Sequence, residues 1–381
     1  MDKKVTFKNA ALKVSGSANY TRVQSVQELL GLGGKLRNLD LSDLDLSDYT
    51  NMFDGQLDPT ISQAEAAKNG IILSWTDSVI WPSENKLPNG VNPAQILQDS
   101  KKPFGITEAH KAGKTGRGVS IAIIDQRLNR EHDEYADRIK YYDVGNGYQD
   151  KNGIDYHGSL VAGCAVGKNT GTAPDADLYY FAAPMIKITD DNERVITREY
   201  VNAALKKLLA LNKTLPENQK IHFVSCSWGA RSDLFTAETD DLFRQCEADG
   251  MIILGGAYKP LPIVSCDARY PNKNKFGRIG IPTDGKTSPF LLGGYAYTRA
   301  GGSSSTFPYI AGVFASATQG NQIFFTRPNW QNELKDILVH TAIESKNGGK
   351  IINPDAIVRE VTRISREMEM NLLKQKSMQN E

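Results

Sequence analysis

Four apolar runs constrain this chain of 381 residues more than any other feature. Gly118–Ile124 is opened by glycine and ended by Asp125. Leu178–Ala183, Ile221–Cys226 and Met251–Leu254 are similar in length. Short, nearly continuous apolar runs suit strands buried on both faces of a sheet. Between them, Tyr200–Leu211 and Leu242–Ala248 place apolar residues at helical spacing. Strands alternating with helices predict an α/β fold, a mostly parallel central sheet with helices on both faces. Ligands in such sheets bind beyond the carboxyl ends of the strands, so the residues just after each run are where chemistry is expected.

Composition narrows the function. Lys and Arg number 45 against 44 Asp and Glu, a formal net charge of +1. No field for holding nucleic acid or an acidic membrane follows from that balance. The four cysteines, Cys164, Cys226, Cys246 and Cys266, form no CxxC pair and read as small buried hydrophobes rather than metal ligands. The first nine residues, Met1 to Asn9, lack the apolar core of a secretion signal, and Met251–Ala257, among the longest apolar stretches, is too short to span a bilayer. The expectation is a cytoplasmic protein with no metal centre, no nucleic-acid partner and no membrane partner.

Three zones differ in texture. Residues 1–102 are polar and weakly periodic, and form an N-terminal extension: a prosegment, a docking region or a wrap around the main domain. Within them Asn38-Leu39-Asp40-Leu41-Ser42 is followed by Asp43-Leu44-Asp45-Leu46-Ser47, which suits a short strand packed on the main domain. Trp75, Trp81-Pro82 and Pro88 suggest an irregular connector with aromatic anchors. Residues 103–360 carry the α/β pattern. Residues 361–381 form a charged tail, and apolar positions from Ile357 to Leu372 at three- and four-residue steps predict an amphipathic helix over 355–379. That helix packs on its own domain or meets a partner or second copy.

Three elements carry chemistry. Asp125 ends a buried run, where a carboxylate either caps a turn or serves a site. His157 opens the small-residue stretch Gly158-Ser159-Leu160-Val161-Ala162-Gly163, as a cap, a core histidine or a base at a helix mouth. Gly302-Ser303-Ser304-Ser305-Thr306-Phe307-Pro308 is a Gly/Ser loop entering a helix, with Pro308 tolerated in the first turn. The order is Asp, His, Ser, at separations of 32 and 147 residues.

With those motifs the chain resembles the subtilisin-like serine peptidases, the subtilases, over roughly residues 103 to 357. Thr115–Asp125 looks like the family's first-motif strand and His157–Gly163 like its histidine motif, with Ser159 where threonine is usual. Gly171–Tyr179 resembles the lead into the next strand, Val224–Gly229 the substrate-pairing edge, and Ala268–Pro271 the segment after the oxyanion loop. Pro308–Gly312 sets the register that makes Ser304 the nucleophile position. The resemblance implies a three-layer subtilisin-like sandwich and a serine endopeptidase acting on peptides or proteins. It implies that Ser304 attacks, His157 exchanges the proton and Asp125 orients the imidazole. It also places Ser227, Trp228, Gly229, Gly255 and Gly256 around the substrate.

The chain departs from the pattern in three places. Gln126-Arg127 follow Asp125 in place of a small residue and glycine. Ser303 and Ser305-Thr306 flank Ser304 where threonine and a residue plus alanine are usual. Tyr258 occupies the position of the family's oxyanion asparagine. The Tyr258 hydroxyl, the Ser304 N–H or a shifted loop is the expected substitute for that donor. The intact triad implies an active peptidase of narrow specificity or under regulation. The altered surroundings imply a catalytically weak peptide-binding or regulatory module. No cofactor is expected. Subtilases often bind calcium, and Thr189-Asp190-Asp191-Asn192-Glu193 is the carboxylate-rich loop that could hold it, or a solvated loop.

Overall fold

The computed structural model describes residues 21–22, 25, 27–28, 38–41, 44–47, 72–87, 91–144, 156–183, 186–188, 194–196, 198–227, 236–256, 258–267, 277–290, 293–298, 302–344 and 349–379. Five strands make the central sheet: β1 (Ser120–Asp125), β2 (Ile139–Asp143), β3 (Asp177–Ala182), β4 (Ile221–Cys226) and β5 (Ile252–Gly255). Their spatial order is β5-β4-β1-β3-β2, and every neighbouring pair is parallel.

The apolar runs are continuous because both faces are covered. Ile121 and Ile123 face one core, together with Phe223, Ile252 and Leu254. Ala122 and Ile124 face the other, with Val224 and Ile253. The first core is closed by α1 (Tyr156–Val166), α4 (Thr306–Thr318) and α5 (Pro354–Gln379); the second by α2 (Arg198–Thr214) and α3 (Ala237–Ala248). The result is the expected three-layer sandwich of a parallel sheet between two helical layers. All thirteen residues of α4 are buried, so this helix runs through the core. Pro308 sits in its first turn, where the missing N–H would have had no helical acceptor.

Residues of the N-terminal zone are built into a second sheet. Its order is Thr21–Arg22, Asn38–Asp40, Ile72–Thr76, Tyr295–Thr298, Lys286–Pro289. Ile72–Thr76 pairs antiparallel with Tyr295–Thr298, opposing Trp75 and Tyr297. The segment around Trp75 is thus a strand, not an irregular connector. Trp75 is fully buried, its ring 4.2 Å from that of Tyr297 and 5.6 Å from that of Trp81. Leu41, Leu44 and Leu46 of the five-residue repeat are buried as well.

The predicted C-terminal helix begins at Pro354 and runs to Gln379, so the boundary drawn at 360/361 falls inside one helix. Ile357, Val358, Val361 and Ile364 belong to the first core. Beyond residue 368 the helix is exposed, including Met370, Leu372, Leu373 and Met378. Among the described residues no helix is long and apolar enough to cross a membrane, and no cluster of metal-ligating side chains is found. The loop at 189–193 lies outside the described residues.

Candidate active site

Asp125 is the last residue of β1 and is 3 % exposed. His157 is the second residue of α1, a helix that starts beside the carboxyl end of the sheet. Its Nδ1 donates to Asp125 Oδ1 at 2.6 Å. The same carboxylate oxygen accepts from the Gln126 backbone N–H at 2.7 Å. With its proton on Nδ1, the imidazole keeps the Nε2 lone pair that a general base needs.

Contact between α1 and the loop after β1 is close. A Cβ on Gly158 would lie 2.6 Å from the Gln126 carbonyl oxygen and 2.8 Å from that of Arg127. The Tyr180 hydroxyl, on β3, donates to the Gln126 carbonyl. Glycine after His157 is what lets the helix approach Asp125.

Ser304 is the middle residue of a 3-10 turn, Ser303–Ser305, which leads directly into α4. The turn packs against α1. Gly302 enters it at φ 65°, a left-handed conformation open to glycine, and its N–H donates to buried Asp284 at 2.9 Å. Each carbonyl of the serine triplet is held by a different side chain. Thr306 Oγ1 donates to Ser303 at 2.6 Å, Ser227 Oγ to Ser304 at 2.7 Å and Cys164 Sγ to Ser305 at 3.3 Å. Ser303 is exposed, Ser304 half-buried and Ser305 buried, so only the middle serine is both accessible and framed by protein. The turn precedes a helix N-terminus, which favours negative charge developing there.

Of the residues expected around the substrate, Ser227, Gly255 and Gly256 follow or end the adjoining strands β4 and β5, whose register pairs Gly255 with Cys226. The Ser227 side chain is 8 % exposed and spends its hydroxyl on the Ser304 carbonyl, so it braces the serine turn. Trp228 and Gly229, like Ala268–Pro271, lie outside the described residues.

Tyr258 requires a correction as an oxyanion donor. Its hydroxyl donates to Glu247 Oε2 at 2.9 Å and its ring packs 4.7 Å from Phe243 of α3. That is the second core, across the sheet from α4 and Ser304. Burial, then the Glu247 carboxylate, raise its hydroxyl pKa, and the side chain is committed to α3.

Several supporting residues were not read from the sequence. Asp284 ends an apolar strand, Ile279–Asp284, as Asp125 does, and that parallel was a usable signal. Cys164 and Thr306 gave none, because their role depends on which carbonyl happens to lie opposite. Burial pushes the Cys164 thiol up to about 12 and raises Cys226, beside Asp125, well above its ordinary value, so neither competes as a nucleophile.

Comparison with known proteins matches residues 116–257 to the model of the Subtilase family. Subtilisin BL of Lederbergia lenta is 25% identical over 290 residues, covering 68% of this chain and 98% of that protein. M-protease of Shouchella clausii is 24% identical over 332 residues, covering 80% of this chain and 76% of that protein. Among solved structures, a cold adapted subtilisin-like serine proteinase superposes with a TM-score of 0.48 at 17% identity, covering 62% of this chain and 89% of that one.

Proposed function

We propose that this chain, a subtilisin-like serine endopeptidase, hydrolyses peptide bonds with Asp125, His157 and Ser304 through an acyl-enzyme. Peptides or proteins are its substrates. The observation that carries the reading is the 2.6 Å bond from His157 Nδ1 to Asp125, with Ser304 on a braced turn against the same helix.

In this reading Ser304 Oγ attacks the scissile carbonyl carbon while His157 Nε2 takes the hydroxyl proton. The carbonyl oxygen becomes an oxyanion, to which the Ser304 backbone N–H donates. Collapse breaks the C–N bond, and His157 gives its proton to the departing amine. Water then attacks the ester by the same route and releases Ser304. Asp125 holds the imidazole through its bond to Nδ1. No step requires a metal or other cofactor.

With its hydroxyl bonded to Glu247, Tyr258 does not supply the side-chain oxyanion donor that the resemblance led to expect at its position. Loss of one such donor costs a subtilisin about 10²- to 10³-fold in rate. A slow enzyme of narrow specificity accommodates that loss. The second reading, a regulatory module that binds peptide without turnover, draws on the same observation. A reducing, cytoplasmic setting is supported by four cysteines that are all free thiols. The exposed end of α5 is the surface offered to a partner or a second copy.

Incubation of the full-length protein with an unfolded protein substrate, beside Ser304→Ala, tests the reading. New amino termini released by the parent protein alone are expected. Equal release by both proteins, or peptide binding with no release, overturns it.

A further inference from the structure

The loop that follows Asp125 carries two cations, Arg127 and Arg130, at positions fixed against the catalytic machinery. Gln126 is bonded to Asp125 by its N–H and to Tyr180 by its carbonyl, and the Arg127 carbonyl abuts Gly158, the residue after His157. Both guanidinium groups face Tyr142 on the edge strand β2. Arg130 stands 5.0 Å from the Tyr142 ring centroid, and Tyr142 lies flat on Tyr180 at 5.6 Å with 7° between the rings. Burial raises the Tyr142 hydroxyl, against which the charges of Arg127 and Arg130 work. Arg130 thus lies over the Tyr142 ring, and the Arg127 side chain is hydrogen-bonded to the Tyr142 hydroxyl.

Neither arginine has a carboxylate within ion-pair distance among the described residues. Three other half-buried cations do have one: Arg138 with Asp175, Lys207 with Asp143 and Arg327 with Glu333. Arg127 is itself half-buried, and its Nε is a buried donor without a hydrogen-bond partner. A half-buried cation with an unused donor is costly unless an anion completes it. Guanidinium also matches a carboxylate with two parallel N–H donors.

We infer that Arg127 and Arg130 form a cationic subsite that selects an Asp or Glu side chain in the peptide, close to the scissile bond. The inference rests on the peptidase reading above and names its specificity.

The test uses matched peptides that carry Glu, Gln or Lys in turn at each position within three residues of the cleaved bond. Turnover is read as kcat/KM with the full-length enzyme, and binding as Kd with Ser304→Ala, so a preference registers even without turnover. Glu is expected to exceed Gln by about 10- to 100-fold at one position or more, the range of a charge-assisted hydrogen bond. Arg127→Gln with Arg130→Gln should bring that ratio to about one, and Arg127→Lys should keep part of it. Arg127→Glu should favour the Lys peptide. Thermal melting confirms that each variant is folded. A Glu-to-Gln ratio near one at every position, in turnover and in binding, overturns the inference, as does a ratio that survives the double substitution. Failure of the peptidase reading is seen separately, as tight binding with no cleavage of any peptide.

Discussion

The hydroxyl of Ser227 donates to the backbone carbonyl of Ser304 at 2.7 Å, tying the end of a central strand to the serine turn. The bond joins residues 77 apart in sequence. In the proposed reaction Ser227 therefore acts as a positioning residue. Ser227→Ala should lower kcat by roughly 10-fold, since a displacement of about 1 Å at a nucleophile is expensive. KM for a short peptide should change less. Steady-state kinetics with that split, beside the rate of labelling by a serine-directed phosphonate, checks it. A loss confined to KM would return Ser227 to the substrate side.

His222 gives the fold a defined acid sensitivity. Its ring stacks on Phe325 at 3.7 Å and meets Trp330 edge-on, and burial lowers its pKa to about 4 from 6.5. The unfolded chain binds this proton below about pH 6.5, whereas the folded chain resists it until about pH 4. Stability should therefore fall as pH drops through that window, by up to about 3 kcal/mol in total, and the contribution should flatten below it. Urea unfolding at pH 7, 5.5 and 4.5 measures the slope. His222→Phe should flatten it, and an unchanged slope in that variant would locate the acid sensitivity elsewhere.

Trp75 belongs to the N-terminal zone, yet it is fully buried against Tyr297 of the main body. Trp75→Ala should cost about 3–5 kcal/mol, the range for emptying a large aromatic site. The chain beginning at residue 103 should melt lower than the full chain, because the Tyr295–Thr298 strand loses its partner. Calorimetry on both proteins tests this. Equal melting temperatures would mean that the extension is a separable segment rather than part of the fold.

The central sheet was legible because burial on both faces leaves a continuous apolar imprint, and four of its five strands stood where the runs predicted. Strand Ile139–Asp143 was not seen. It lies at the sheet edge with partly exposed side chains, and Lys140 and Asp143 interrupt its pattern. Helix α3 starts at Ala237, five residues before the predicted stretch, since Glu238 and Asp240 make its first turn polar. The Thr236–Thr239 capping box marks the true start. Asp125 and His157, singled out by order and context, are brought into contact by the fold. Tyr258 was misassigned because position along the chain does not reveal which face of the sheet a side chain takes. Ser227 was expected beside the substrate; it follows the strand end, and its partner, a backbone carbonyl, leaves no trace in the sequence.

The central claim is that Ser304 is an activated nucleophile. Purified full-length protein is treated with a fluorophosphonate and its mass is measured, beside Ser304→Ala and Asp125→Asn. The account predicts one adduct on the parent protein, mapped to Ser304 by peptide sequencing. It predicts no adduct on Ser304→Ala and much slower labelling of Asp125→Asn, whose imidazole loses its carboxylate partner. An unlabelled parent protein, or an adduct that persists in Ser304→Ala, would contradict it.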